Sequence, residues 1–165
     1  MTELPVYLTG LILALGFAVV TALRHPACRE PLLRTAAAIL GCWIAGVAYT
    51  VTTDDLTPWH FNIFLDAVTA TVVMMNPAGR TQGTIGLLYF VQIAWHTAFG
   101  IQIFSGNKPD EQFYYDAITW VAWAQLAVLG IWCGGIEHDS RVRTLRNSRD
   151  ASSSRPRVPT AKEKP

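Results

Sequence analysis

TQGTIGLLYFVQIAWHTAFGIQIFSGN, residues 81–107, runs from Arg80 to Lys108 without one Asp, Glu, Lys or Arg. At 1.5 Å per residue a helix of about 20 mostly apolar residues crosses the hydrocarbon core of a bilayer. This stretch is therefore long enough to span. The same reading repeats outward along the chain. Residues 4–23, 35–53 and 117–136 carry no charge, and residues 56–79 carry only Asp66. A soluble chain of 165 residues has too little interior to hide five such stretches. The composition agrees, with 51% apolar and only 15% charged residues. A soluble enzyme, a disulfide scaffold and a nucleic-acid-binding domain are excluded on these grounds.

The hydrophobicity is all-round, with no period of two, which favours helices over barrel strands. The expected fold is an all-α integral membrane bundle of five transmembrane helices within residues 1–136. The spans are placed at about Val6–Leu23, Thr35–Val51, Trp59–Met75, Gly83–Phe104 and Phe113–Ile136. The third is the shortest and most polar. Residues 137–165 are expected to form a basic, largely disordered cytoplasmic tail. Arg, Ser and Pro dominate from Arg141 onward, and such a segment buries too little surface to offset its ordering entropy.

Loop charges set the orientation. Arg24, Arg29 and Arg34 lie between spans one and two, and Arg80 between three and four. Asp54 and Asp55 lie between two and three, and Lys108, Asp110 and Glu111 between four and five. The positive-inside rule then places the N-terminus outside and the tail in the cytoplasm of a bacterial inner membrane. Arg141, Arg143, Arg146 and Arg149 are candidates for contact with anionic lipid headgroups. The tail lacks the interleaved aromatics of a nucleic-acid-binding segment. MTELPVY has no positive charge before its apolar run, so the first span is expected to be retained rather than cleaved. Tyr7, Tyr49, Trp59, Tyr114 and Tyr115 fall near the outer ends and Trp132 near an inner end, where amphipathic rings favour the headgroup level.

Cys28, Cys42 and Cys133 are odd in number and form no CxxC, so neither a disulfide nor a metal site is read from them. Within the apolar runs, Cys behaves as a small hydrophobe. Gly41xxxAla45 and Gly130xxxGly134 allow close helix approach, expected within the bundle. Pro26-Ala27-Cys28-Arg29 and Pro77-Ala78-Gly79-Arg80 lie 51 residues apart and suggest a duplicated hairpin.

Asp66 is the most informative residue. A carboxylate inside a span costs at least about 2.5 kcal/mol and must meet a partner or water. Asp66 lies about 10 Å from the outer end of span three, and His96 about 12 Å from the outer end of span four, by helical rise. An Asp66–His96 pair is expected. Asn62 and Gln92 sit one turn away on the same faces, giving a polar cluster of Asn62, Asp66, Gln92 and His96, with Thr69 and Gln125 deeper. Three roles compete for it: interhelical hydrogen bonding, a proton or ion path, and a carboxylate snorkelling out of a short span. Haem needs a second axial ligand at the depth of His96. His60 lies nearer the outer surface and His25 and His138 at the cytoplasmic side, so no cofactor or metal is expected. No catalytic motif of nucleophile-elbow, P-loop or zinc-protease type is present, and the chain is read as non-enzymatic.

DAVTATVVMMNPAGRTQGTIGLLYFVQIAWHTAFG, residues 66–100, carries Asp66, Pro77, Ala78, Gly79, Arg80, Gln92 and His96. With YYDAITWVAWAQLAVLGIWCGG at 114–135, it resembles small uncharacterised multi-pass membrane proteins of tailed phages and prophages of alphaproteobacteria. The resemblance covers under half of the chain and implies a context without an assigned activity. The Pro-Pro-x-Trp signature of the five-helix tryptophan-rich sensory proteins is absent. The leading functional expectation is a structural or accessory component of a membrane assembly, phage-encoded in its specific form. Its partners would be the lipid bilayer and another membrane protein or a second copy, not nucleic acid. The alternatives are a proton, ion or small-solute transporter component using Asp66 and His96, and a holin-like permeabilising protein. Reporter fusions at residues 54 and 108 should read outside, and one at residue 145 inside. Cytosolic signals at both 54 and 108 would reverse the orientation.

Overall fold

A computed structural model describes residues 3–53, 58–75 and 80–153. They form five α-helices: α1 Glu3–Arg24, α2 Arg29–Thr53, α3 Trp59–Met74, α4 Arg80–Phe104 and α5 Glu111–Ser153. No strand occurs among the described residues. Helices α1, α2, α4 and α5 are long and apolar enough to cross a membrane. α3 differs from the expected full span. Its 16 residues reach about 24 Å by helical rise, short of a hydrocarbon core of about 30 Å. Its limits are set by backbone chemistry. Pro58 precedes the first turn, and Met75 leaves helical geometry at ψ 117° just ahead of Asn76-Pro77 in the sequence.

The other ends follow equally local rules. His25 precedes Pro26 and leaves helical geometry at φ −123°, ψ 82°, which stops α1 at Arg24, and Pro26–Cys28 form a single 3₁₀ turn into α2. Gly106 adopts a left-handed φ of 72°. Its N–H bonds Ile103 O at 3.0 Å and Asn107 N–H bonds Gln102 O at 3.1 Å, a Schellman cap for α4. Asp110 then accepts from Phe113 N–H at 3.0 Å and caps the start of α5. α5 continues through Ser153. This differs from the tail expected to lose structure after a short extension of span five: between Arg141 and Ser153 no Pro or Gly interrupts the helical run. Residues 154–165 lie outside the described part.

Each helix packs on the next in the chain, and α5 returns to pack on α1. The result is a closed ring of five helices. Side-chain contacts establish the alternation of direction. Tyr49 meets His60 at one end of α2 and α3, and Trp59 meets Phe104 at that same end of α3 and α4. At the opposite end Gln82 of α4 donates to Thr35 Oγ1 of α2 at 3.3 Å. There, too, Arg24 and His25 approach Glu137 of α5 at 3.7 and 3.3 Å. α2 and α4 both contain 25 residues and begin 51 positions apart, the spacing of the two Pro-Ala turns.

The core is apolar, built around Leu11, Leu32, Ile85 and Leu129, but polarity elsewhere departs from that of a water-soluble domain. Large apolar side chains such as Leu13, Phe64, Leu87, Phe104, Trp120 and Ile131 are exposed. Thr21, Thr35, Asp66, Thr69, Gln82, Gln92, His96 and Gln125 are buried. Outside water, an exposed apolar shell with the polar side chains turned inward is the inexpensive arrangement.

Tight helix contacts fall at other small residues than the two motifs suggested. A Cβ on Gly41, Gly130 or Gly134 would meet nothing within 4 Å, so these positions face away from the bundle's packing. Gly10, Gly86 and Gly100 permit the close approaches instead. A Cβ there would lie 2.5 Å from the Trp123 ring, 2.5 Å from Met74 and 2.6 Å from the Trp59 ring, respectively. Gly100→Val should therefore lower thermal stability in detergent by about 1–3 kcal/mol through overpacking. Gly130→Ala should change it by no more than about 0.5 kcal/mol.

Candidate functional site

The site forms where α2, α3, α4 and α5 face one another. Asp66 of α3 and His96 of α4 are both almost fully buried, at 4% and 3% exposure. His96 Nε2 lies 3.2 Å from Asp66 Oδ2. The approach is off the ring N–H axis, so Oδ2 has no in-line donor despite its burial. Asp66 Oδ1 accepts from the Cys42 thiol of α2 at 3.6 Å. The other ring nitrogen, His96 Nδ1, hydrogen-bonds the hydroxyl of Tyr114 from α5, whose ring also stacks on Phe99 at 4.0 Å between centroids. Asn62 reaches the same hydroxyl, while Thr69 and Tyr89 reach Cys42. One polar chain thus crosses four helices, from Asn62 through Tyr114, His96 and Asp66 to Cys42.

Hydrogen-bond logic restricts the protonation of this chain. With Tyr114 donating to Nδ1, the ring proton sits on Nε2, the nitrogen 3.2 Å from Asp66 Oδ2 but not aimed at it. A carboxylate beside a neutral imidazole leaves a net negative charge in an apolar bundle, at a cost of several kcal/mol. One further proton held by the pair makes it neutral, either as carboxylate with imidazolium or as carboxylic acid with imidazole.

The four residues anticipated from sequence all line one cavity, but they are not joined by one run of hydrogen bonds. Asp66 and His96 come together. Asn62 joins through Tyr114 rather than by touching Asp66. Gln92 is buried but turns to Gln125 of α5, whose Nε2 donates to Gln92 Oε1. Tyr114 and Cys42 take roles that sequence reasoning missed. The sequence pattern puts Tyr114 at the headgroup level, yet it is 5% exposed and closes the chain. Cys42 reads as a small hydrophobe, but its thiol is the donor to Asp66. The signal available in sequence was depth. Tyr114 begins α5 at the end of the bundle where α4 carries His96.

Two cavities of about 350 Å³ each adjoin this chain. One is lined by Asn62, Asp66 and His96 and extends to Thr50, Val51 and Pro58 at the α2–α3 end. The second lies deeper, among Tyr7, Ile39, Tyr89, Thr119, Ala122 and Gln125. They share a wall of Cys42, Trp43, Gln92 and Ile118. Both volumes fall within the range of about 300–1,000 Å³ typical of small-molecule sites.

The remaining histidines lie elsewhere. His60 is exposed at the rim and bonds Tyr49 at 3.2 Å, and His25 lies beside Glu137 at the opposite end. Arg141 and Arg143 are exposed on the α5 extension. Arg146 and Arg149 lie on the same helix, their side chains outside the described part. Comparison with protein-family models, with curated proteins and with solved structures finds no match for the chain.

His96→Ala leaves Asp66 buried without its counter-group and should destabilise the bundle by about 3–5 kcal/mol. Asp66→Asn keeps the shape of the side chain and should cost about 1 kcal/mol. Thermal unfolding of both and of the double variant tests the pairing. A double variant less stable than the sum of the single losses would contradict it.

Proposed function

We propose that this chain is a multi-pass membrane protein that holds and exchanges a proton, coupled to a small solute, at Asp66 and His96: a transporter component. The observation that carries this reading is a buried carboxylate–imidazole–phenol chain on the wall of a cavity that runs toward one end of a helical ring. Hydrogen bonding between helices accounts for buried Gln92 and Gln125, which are joined by a bond from Gln125 Nε2 to Gln92 Oε1. It does not account for Asp66 Oδ2, which is buried without an in-line donor and belongs to a residue on the cavity wall. No covalent chemistry is assigned to the site, and the protein is proposed as non-enzymatic.

A structural or accessory role in a larger membrane assembly is the second reading. It is favoured by Gly41, Gly134 and Gly135, which are exposed and where an added Cβ would meet nothing within 4 Å. Such positions let another transmembrane helix approach closely. The phage-encoded version of this reading rests on the resemblance of residues 66–100. The bacterial inner membrane, with the α2–α3 end outside, is the location that loop charges favour.

Proteoliposomes holding a trapped pH indicator test the transporter reading under an imposed potential. The intact protein should admit protons, and Asp66→Asn should lower the rate by about tenfold or more. A rate equal to protein-free liposomes, or one unaffected by Asp66→Asn, would overturn it. Abrupt permeation that persists in Asp66→Asn would favour the holin-like alternative.

A further inference from the structure

The two adjoining cavities say more about the solute than that it is small. We propose that they bind an organic monocation, an amine or quaternary ammonium with a flat apolar body, whose positive head sits against Asp66. This deepens the transporter reading and rests on it. The walls select by chemistry. Trp43, Tyr7 and Tyr89 offer aromatic faces, and Ile39 and Ile118 offer apolar surface. Aromatic faces attract a desolvated cation through the ring quadrupole. Among the described residues, no lysine or arginine lies on either wall, so an anion would meet a carboxylate with no counter-charge. Inorganic cations such as calcium need six to eight oxygen ligands, and the walls are chiefly ring and aliphatic carbon. A sugar-like neutral solute needs many hydrogen-bonding groups, whereas apolar and aromatic side chains make up most of the deeper wall and one bond already ties Gln125 to Gln92.

Asp66 supplies the anchor. Its Oδ2 is buried, lacks an in-line donor and belongs to a residue on the cavity wall. The titratable groups facing it are Cys42 from α2, Tyr89 and His96 from α4 and Tyr114 from α5. Among these, His96 alone forms an ion pair with it. Charge balance then dictates an exchange. The empty site holds one proton between Asp66 and His96. As the cation enters, that proton leaves to the aqueous phase through the cavity at the α2–α3 end, and the net charge inside the ring stays the same. No bond other than those to the proton is made or broken. Binding and proton release are thus one event, and a lower pH weakens the cation's hold.

The test uses the full chain in nanodiscs, with empty nanodiscs as the blank. The probe is benzyltrimethylammonium, and its control is neopentylbenzene, the uncharged isostere with carbon in place of nitrogen. Calorimetry in buffers of different ionisation enthalpy reads affinity and proton release together. The cation should bind about tenfold or more tighter than the isostere and release about one proton per molecule bound. Asp66→Asn should abolish the preference while the isostere still binds, which shows that the cavity has survived. Asp66→Glu should restore part of it. Ala122→Phe, which fills the deeper cavity without touching Asp66, should weaken both probes. An isostere that binds as tightly as the cation, a cation that binds without proton release, or failure of both probes would overturn the proposal. In each of those cases a proton flux that still depends on Asp66 leaves the transporter reading standing. Cation binding as expected with no Asp66-dependent flux would instead retain the site and remove the transport.

Discussion

A carboxylate in the interior of an apolar bundle has to be answered by its neighbours, and the arrangement of this protein follows from how Asp66 is answered. His96 stands 3.2 Å away on α4, Cys42 donates from α2, and Tyr114 secures the far side of the imidazole from α5. Four of the five helices are thereby committed to one point. α3, which carries the carboxylate, is too short to depend on lipid for its position. It is held by α2 and α4 on either side and by Trp59 packed over Gly100.

The remaining helix closes the ring by different means. α1 carries no member of the polar chain. It meets α5 through Gly10, where the Trp123 ring lies too close to admit a side chain, and through the edge of Tyr7 against Trp123 at 5.6 Å. At the other end Glu137 draws in Arg24 and His25. Those groups are partly exposed, so they guide the seam more than they stabilise it. Two spaces of about 350 Å³ remain open between the helices beside the polar chain. Aromatic rings and the Gln92 and Gln125 amides line the deeper of them.

Much of the architecture is legible in the chain. Runs without charge locate the helices, because ionised side chains are what hydrocarbon excludes. Pro26 and Gly106 end helices through local sterics, and Asp110 starts one through a single side-chain acceptor. The meeting of Asp66 with His96 can be anticipated because depth along two adjacent antiparallel helices is simple arithmetic on residue number. The length of α3 is less legible, since hydropathy continues through Met75 where the backbone already turns away. The helical run to Ser153 escapes a reading that weighs composition above the lack of any helix-breaking residue.

What residue order determined by itself was the solvent of this protein, the number of its helices and the depth of its buried charge, since each depends on position along one strand of chain. Rotation of each helix about its own axis is a different quantity. It is settled only when five surfaces pack together at once, and a stretch hydrophobic on every side contains almost no information about it. For that reason only the tertiary structure decided that Tyr114 and Cys42 face inward, that Gly10 and Gly100 rather than Gly41 and Gly130 bring helices close, and that a cavity lies beside Asp66.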